Sequence, residues 1–130
     1  MSRPFVLLSL FLLLTASLVA YPRLHRRLAR YQQTQAAQTM VIQLAPKLRN
    51  GDLVFQTSQS AQSQAIQLAT HSPYSHCGIL FRKEGEWRVF EAVQPVSETS
   101  LATWAARGKD GKVVVKRLRD AETVLTPAAL

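Results

Sequence analysis

The first stretch of the chain is apolar without interruption: Phe5 to Tyr21 reads FVLLSLFLLLTASLVAY, seventeen residues with no charge. Apolar side chains on every face leave no polar side for water, which argues against a buried soluble helix. A helix of that length covers about 25 Å, at the short end of what crosses a bilayer core of roughly 30 Å. Residues 1–21 therefore read as a signal anchor or a signal peptide. Leu18 and Ala20 make a poor cleavage site, and no cysteine follows the run to carry a lipid. The arginines at 23, 26, 27 and 30, against Arg3 on the other side, favour a cytoplasmic position for the domain behind them.

Beyond this run the pattern changes to mixed periodicities. From Pro22 to Lys47, Leu24, Leu28, Tyr31, Met40, Val41 and Leu44 recur mostly at three- and four-residue spacings among Gln and Arg, which predicts a polar helical stem closed by Pro46. Gly51 marks a turn into a short strand, Leu53 to Phe55. A helix comes after it, capped by Ser58 or Ser60, with Ala61, Ala65, Leu68 and Ala69 on one side and His71-Ser72-Pro73 as its stop. Ser75 to Phe81 and Trp87 to Ala92 flank Glu84-Gly85 and predict a β-hairpin. A short helix over 101–107 comes next, capped by Thr99 or Ser100 and closed by Gly108, then an Asp110-Gly111 turn into a strand over 113–118. Thr126-Pro127 announces one more helix in the last residues. The order predicts an α+β domain over 48–130.

Charge refines this picture. The 130 residues carry sixteen Lys and Arg against eight Asp and Glu, a net +8, but residues 1–50 hold seven basic side chains and no acidic one. The remainder is almost neutral. Phosphate affinity needs positive charge gathered on the folded surface that docks, so the distribution excludes a basic nucleic-acid-binding domain and suits a membrane-proximal stem. A single cysteine excludes a disulfide framework within the chain.

The hairpin carries the candidate chemistry. A two-residue Glu84-Gly85 loop pairs Lys83 with Glu86, so Gly78 faces Glu91 and His76 faces Val93. A four-residue loop keeps that pairing, whereas three or five residues would put His76 and Glu91 on opposite faces. With alternating side chains, His76 and Glu91 share one face as diagonal neighbours, about 7 to 8 Å apart at the backbone. A histidine oriented by a carboxylate is the base half of a nucleophilic triad. Cys77 points to the other face with Ile79, Phe81, Phe90 and Ala92, where it reads as a small core residue. His71, His76 and Cys77 do not make a zinc site, since the last two diverge. The serines at 58, 60 and 63 read as cap and helix-surface residues, and neither metal nor cofactor is expected.

Gly51-Asp52-Leu53-Val54-Phe55, Ser72-Pro73-Tyr74-Ser75-His76-Cys77-Gly78-Ile79, Val89-Phe90-Glu91-Ala92 with Val96, and Val113 to Leu118 together resemble the YiiX/YebB-like permuted papain-like family. That family is related to the NlpC-type amidases and the lecithin retinol acyltransferase group. The resemblance runs from about Leu48 to Leu130 and implies a circularly permuted papain-like domain behind the N-terminal helix. It implies a thiol hydrolase acting on amide or ester bonds, with His76 as the catalytic histidine and Glu91 as the orienting residue. It places the nucleophilic cysteine after these strands, in a Tyr-Cys-Ser-Glu-like segment opening a later helix, and gives Cys77 a position that is usually apolar. The expectation is a truncated domain, incomplete at its C-terminus and catalytically silent as it stands.

Three functions compete: the hydrolase, a non-catalytic membrane-anchored envelope protein binding a peptide or lipid ligand, and an adaptor whose basic stem binds anionic lipid headgroups. The partners expected are a membrane, through the N-terminal helix, and a peptide, lipid or acyl substrate. The resemblance favours the envelope, on the periplasmic side, against the arginine pattern.

Overall fold

The computed structural model describes residues 3–93 and 95–126, apart from the side chains of 3–6, 9 and 10. A long helix, α1 (Arg3–Leu44), runs through Pro22 and ends in a 3-10 turn, Ala45–Lys47, that has Pro46 near its start. The chain divides at Gln32 into an N-terminal unit and a compact unit from Gln33 onward. Among the described residues, no helix is long and apolar enough to cross a membrane; the anchor reading of residues 1–21 finds no support there. Leu7, Leu8, Phe11, Leu12, Leu13, Leu14 and Leu18 are exposed on α1.

The compact unit is built on five antiparallel strands in the order β4-β3-β2-β1-β5. They are β1 (Leu53–Gln56), β2 (His76–Lys83), β3 (Glu86–Glu91), β4 (Ser97–Ser100) and β5 (Val114–Lys116). Between them lie α2 (Ser63–Thr70) and α3 (Leu101–Ala106), and a short α4 (Ala121–Val124) comes last. The mixture of helices and antiparallel sheet agrees with the expected α+β class. Helix α3 starts as the pattern predicts, with Ser100 Oγ accepting from the Thr103 backbone N–H. The helix announced by Thr126-Pro127 lies outside the described residues.

The hairpin register is the one the loop predicts. Lys83 pairs with Glu86 and Ile79 with Phe90. Glu84 at φ 52° and Gly85 at φ 83° both occupy the left-handed region, as a two-residue turn matched to the twist of its strands requires. On one face Val54, Leu80 and Val89 are fully buried, and Leu48, Trp87, Leu101 and Trp104 complete the core. Val41 and Leu44, from the last turns of α1, pack against it. Asp52 anchors the start of β1: its buried carboxylate accepts from the Arg49 backbone N–H at 2.9 Å and from Arg117 Nε at 2.6 Å.

Three expectations need correction. Cys77 is exposed, together with Ile79 and Phe90; the buried face is the other one, carrying Gly78, Leu80, Val89 and Glu91. Both faces of the hairpin bear large apolar residues, so alternation alone does not choose between them. The core forms on the side where α3 and the end of α1 pack. Second, neither Ser58 nor Ser60 caps α2, which begins after Gln62 without a side-chain cap. Ser58 Oγ and Ser60 Oγ lie 2.8 Å apart and bond each other. Third, α2 turns Ser63 inward and leaves Leu68 exposed. The helix is held by polar contacts, with Ser63 Oγ 2.7 Å from Ser75 Oγ and 3.0 Å from Gln67 Nε2. Its stop at His71 is as expected, a left-handed residue at φ 50°.

Candidate active site

His76 opens β2 and Glu91 closes β3. Their shared face brings His76 Nε2 to 2.7 Å from Glu91 Oε2, so the two residues singled out in the sequence do meet. The Glu91 side chain is fully buried and that of His76 is 22% exposed. A buried carboxylate is stable only when its lone pairs are satisfied, and Glu91 has four donors. Oε2 takes the second from Trp104 Nε1–H at 3.1 Å. Oε1 accepts from Thr99 Oγ–H at 2.7 Å and from Arg107 Nη2.

Each donor comes from an element whose position the sheet sets. Thr99 lies on β4, two residues beyond Ser97, the partner of Glu91 across the strand pair, and so on the same face. Trp104 is buried on the sheet-facing side of α3 with Leu101 and Ala105, and Arg107 stands one turn later. The Trp104 indole also stacks on the His76 ring, with centroids 5.8 Å apart and planes at 28°. The hydrogen bond fixes one edge of the imidazole and the indole fixes its plane.

Burial alone would push the Glu91 carboxyl up. Hydrogen bonds from His76, Thr99 and Arg107, with the charge of Arg107, outweigh that and hold it below the usual carboxylate range. An ionised Glu91 can only accept, so in the neutral imidazole the proton sits on Nε2 and the lone pair on Nδ1. Nδ1 is the nitrogen available to take a proton from a nucleophile.

Among the described residues, that histidine borders at least two depressions. One is a cleft of about 710 Å³ lined by Gln56, Ser58, Gln59, Val93 and Arg107. The other, of about 520 Å³, is more apolar and lined by Phe55, Ile66, Tyr74, Cys77 and Ala92. Cys77, the sole thiol of the sequence, sits next to His76 on the strand but on the opposite face, the wrong geometry for proton transfer between them. Among the described residues, no group of three or more His, Cys, Asp or Glu is placed to hold a metal ion.

Residues 47–129 match the model of a family described as permuted papain-like amidase enzymes, YaeF/YiiX. The chain belongs to the permuted papain-like amidase family. Over 70 residues it is 50% identical to the uncharacterized protein YiiX of Escherichia coli K12, an alignment covering 54% of this chain and 35% of that protein. A crystal structure described as the metalloprotein YiiX from Escherichia coli O157:H7 superposes with a TM-score of 0.53 at 54% identity, over 55% of this chain and 39% of that one. The chain thus spans little more than a third of the length of these relatives.

Sequence reasoning missed Thr99, Trp104, Arg107 and Gln56. Only the helix period of Leu101, Trp104 and Ala105 was there to find Trp104. Nothing in the local pattern marks Arg107 or Gln56, which reach the site through tertiary packing.

Proposed function

We propose that this chain carries the base and orienting residues of a thiol-dependent hydrolase of amide or ester bonds. His76 Nδ1 is the general base and Glu91 holds its tautomer and position. The single observation that carries this reading is the His76–Glu91 contact of 2.7 Å on a carboxylate with three other donors, at the edge of an open cleft. A buried pair serving only stability has no need to present a free imidazole nitrogen there. By family resemblance the thiol belongs to a segment that follows these strands and opens a later helix.

The test joins this chain to the remaining segment of its longer relative and assays both forms on acyl amides and esters. Hydrolysis with a trapped acyl-enzyme is expected from the joined form. His76→Ala should abolish it, and a joined enzyme indifferent to His76→Ala would overturn the assignment.

The exposed leucines from Leu7 to Leu18 on α1 support a second element of the proposal, that this helix holds the protein at a membrane of the cell envelope. Contiguous exposed apolar surface of this kind marks an interaction site. Co-flotation of the chain with lipid vesicles, lost when residues 1–21 are removed, is the expected result.

A further inference from the structure

Between Tyr21 and Tyr31, helix α1 carries two stripes of opposite character. Tyr21, Leu24, Leu28 and Tyr31 follow one another at three- and four-residue spacings, and at 3.6 residues per turn they fall within an arc of about 80°. All four are more than half exposed. Arg23, Arg26, Arg27 and Arg30 fall within a second arc of about 100°, centred about 130° round the helix from the first. These too are exposed. Both stripes lie within the N-terminal unit, which ends at Gln32.

Residues 1–50 include no Asp or Glu, so no carboxylate within a few turns can neutralise the arginines, and like charges one turn apart repel one another. A surface that is acidic beside the arginines and apolar beneath the leucines relieves the repulsion and covers the exposed stripe together. A bilayer containing anionic lipid is built that way, with phosphates outside and acyl chains beneath. A nucleic acid offers the phosphates without the apolar layer. A second copy of the helix offers an apolar stripe but adds four more arginines. We infer that this segment of α1 lies along an anionic bilayer surface, with Arg23, Arg26, Arg27 and Arg30 on the lipid phosphates and Tyr21, Leu24, Leu28 and Tyr31 seated in the acyl boundary.

This inference rests on the reading of α1 as the helix that holds the protein at a membrane, and adds which lipid it selects. No spanning helix is needed for it, because an interfacial helix buries one apolar face about 5–10 Å deep. Arginine side chains are long enough to reach the phosphates while the apolar stripe seats the helix. The two parts of α1 then divide the work. The exposed leucines from Leu7 to Leu18 give affinity for any bilayer, and the arginines discriminate between bilayers by charge. Each arginine near an anionic surface strengthens binding about fivefold, and the attraction fades beyond a Debye length.

The 130-residue chain is sedimented with sucrose-loaded vesicles of phosphatidylcholine alone, or with about one lipid in three replaced by phosphatidylglycerol. Binding at least about a hundredfold tighter to the charged vesicles is expected, with the preference lost at about 1 M salt, where the Debye length is about 3 Å. R23Q/R26Q/R27Q/R30Q should abolish the preference, and R23K/R26K/R27K/R30K, which keeps the charge, should retain it. Equal binding to both vesicles, an undiminished preference in the Gln variant, or its loss in the Lys variant would overturn the arginine role and leave the membrane reading of α1 standing. Binding to neither vesicle would count against both. Leu24→Gln combined with Leu28→Gln should weaken binding to charged vesicles by more than about tenfold. A DNA duplex that binds the parent and this leucine variant equally well, and displaces the parent from vesicles, would assign the arginines to nucleic acid. A stable dimer in the absence of lipid, dissolved by the same variant, would assign the stripe to a second copy. Either result would overturn the proposal.

Discussion

His76 and Glu91 meet diagonally across the β2–β3 ladder, Nε2 to Oε2 at 2.7 Å, because a two-residue turn at Glu84-Gly85 places Lys83 opposite Glu86. The site therefore depends on turn chemistry seven residues away. Had the loop one residue more or fewer, every side chain of one strand would change face relative to the other, and imidazole and carboxylate would part.

Replacing Glu91 separates its structural role from its orienting one. Glu91→Ala leaves the donors of Trp104, Thr99 and Arg107 without their acceptor in a buried site, and should cost roughly 3–5 kcal/mol of stability. Glu91→Gln retains the shape but turns an acceptor into a donor toward some of the same groups, and should cost less. Urea unfolding monitored by Trp fluorescence measures both. An alanine variant as stable as the parent would show that the four donors to Glu91 contribute nothing net.

Acid should unfold the protein through Glu91 and Asp52. For Asp52, burial raises the carboxyl, but hydrogen bonds from Arg117 and the Arg49 backbone, with the charges of both arginines, bring it below its ordinary value. Both carboxyls are thus depressed in the folded state. The unfolded chain binds the protons first, so the stability they give is present above the unfolded values near 4 and is lost as pH falls through the folded ones. Denaturation midpoints should be level above about pH 5 and decline steadily below it. Removing one of the two depressed carboxyls, in Glu91→Gln or Asp52→Asn, should make the decline shallower.

The hairpin could be read in the sequence because its signals are local: apolar runs of β preference on either side of Glu84-Gly85. The family resemblance was equally legible, carried by the order of short motifs around His76 and Glu91. What escaped is what depends on partners distant in sequence. Strand β4, Ser97–Ser100, has no apolar residue and exists because Arg88 to Glu91 pair with it. The exposed side of Cys77 results from where α3 packs, and the polar inward face of α2 from a Ser63–Ser75 contact. Gln56 looks like any edge glutamine until its register with His76 is known.

Gly78 should tolerate no side chain. It lies on the buried face between Val54 and Val89, and a Cβ there would come within 2.2 Å of Val89 Cγ1 and 3.0 Å of the Phe90 carbonyl oxygen. Gly78→Ala must push β2 and β3 apart beside the His76–Glu91 pair, an overpacking that costs typically about 1–3 kcal/mol. The His76–Trp104 stacking should loosen with it. A lowered melting temperature together with a changed ring-current shift at His76 is the expected outcome. A variant destabilised without any change at His76 would separate the packing at Gly78 from the geometry of the site.

Cys77 should react with thiol reagents in the folded protein while contributing nothing to catalysis. Its side chain is exposed on the sheet face opposite Glu91, so a maleimide should label the native chain completely, with the circular dichroism spectrum unchanged. Cys77→Ser should leave stability within about 0.5 kcal/mol, as for a surface substitution remote from special features. In the form joined to the segment of its longer relative, Cys77→Ser should keep full hydrolysis while His76→Ala loses it. Loss of hydrolysis in Cys77→Ser, or protection of Cys77 from labelling until urea is added, would return the thiol to the site or to the core, and the face assigned to it on β2 would have to be abandoned.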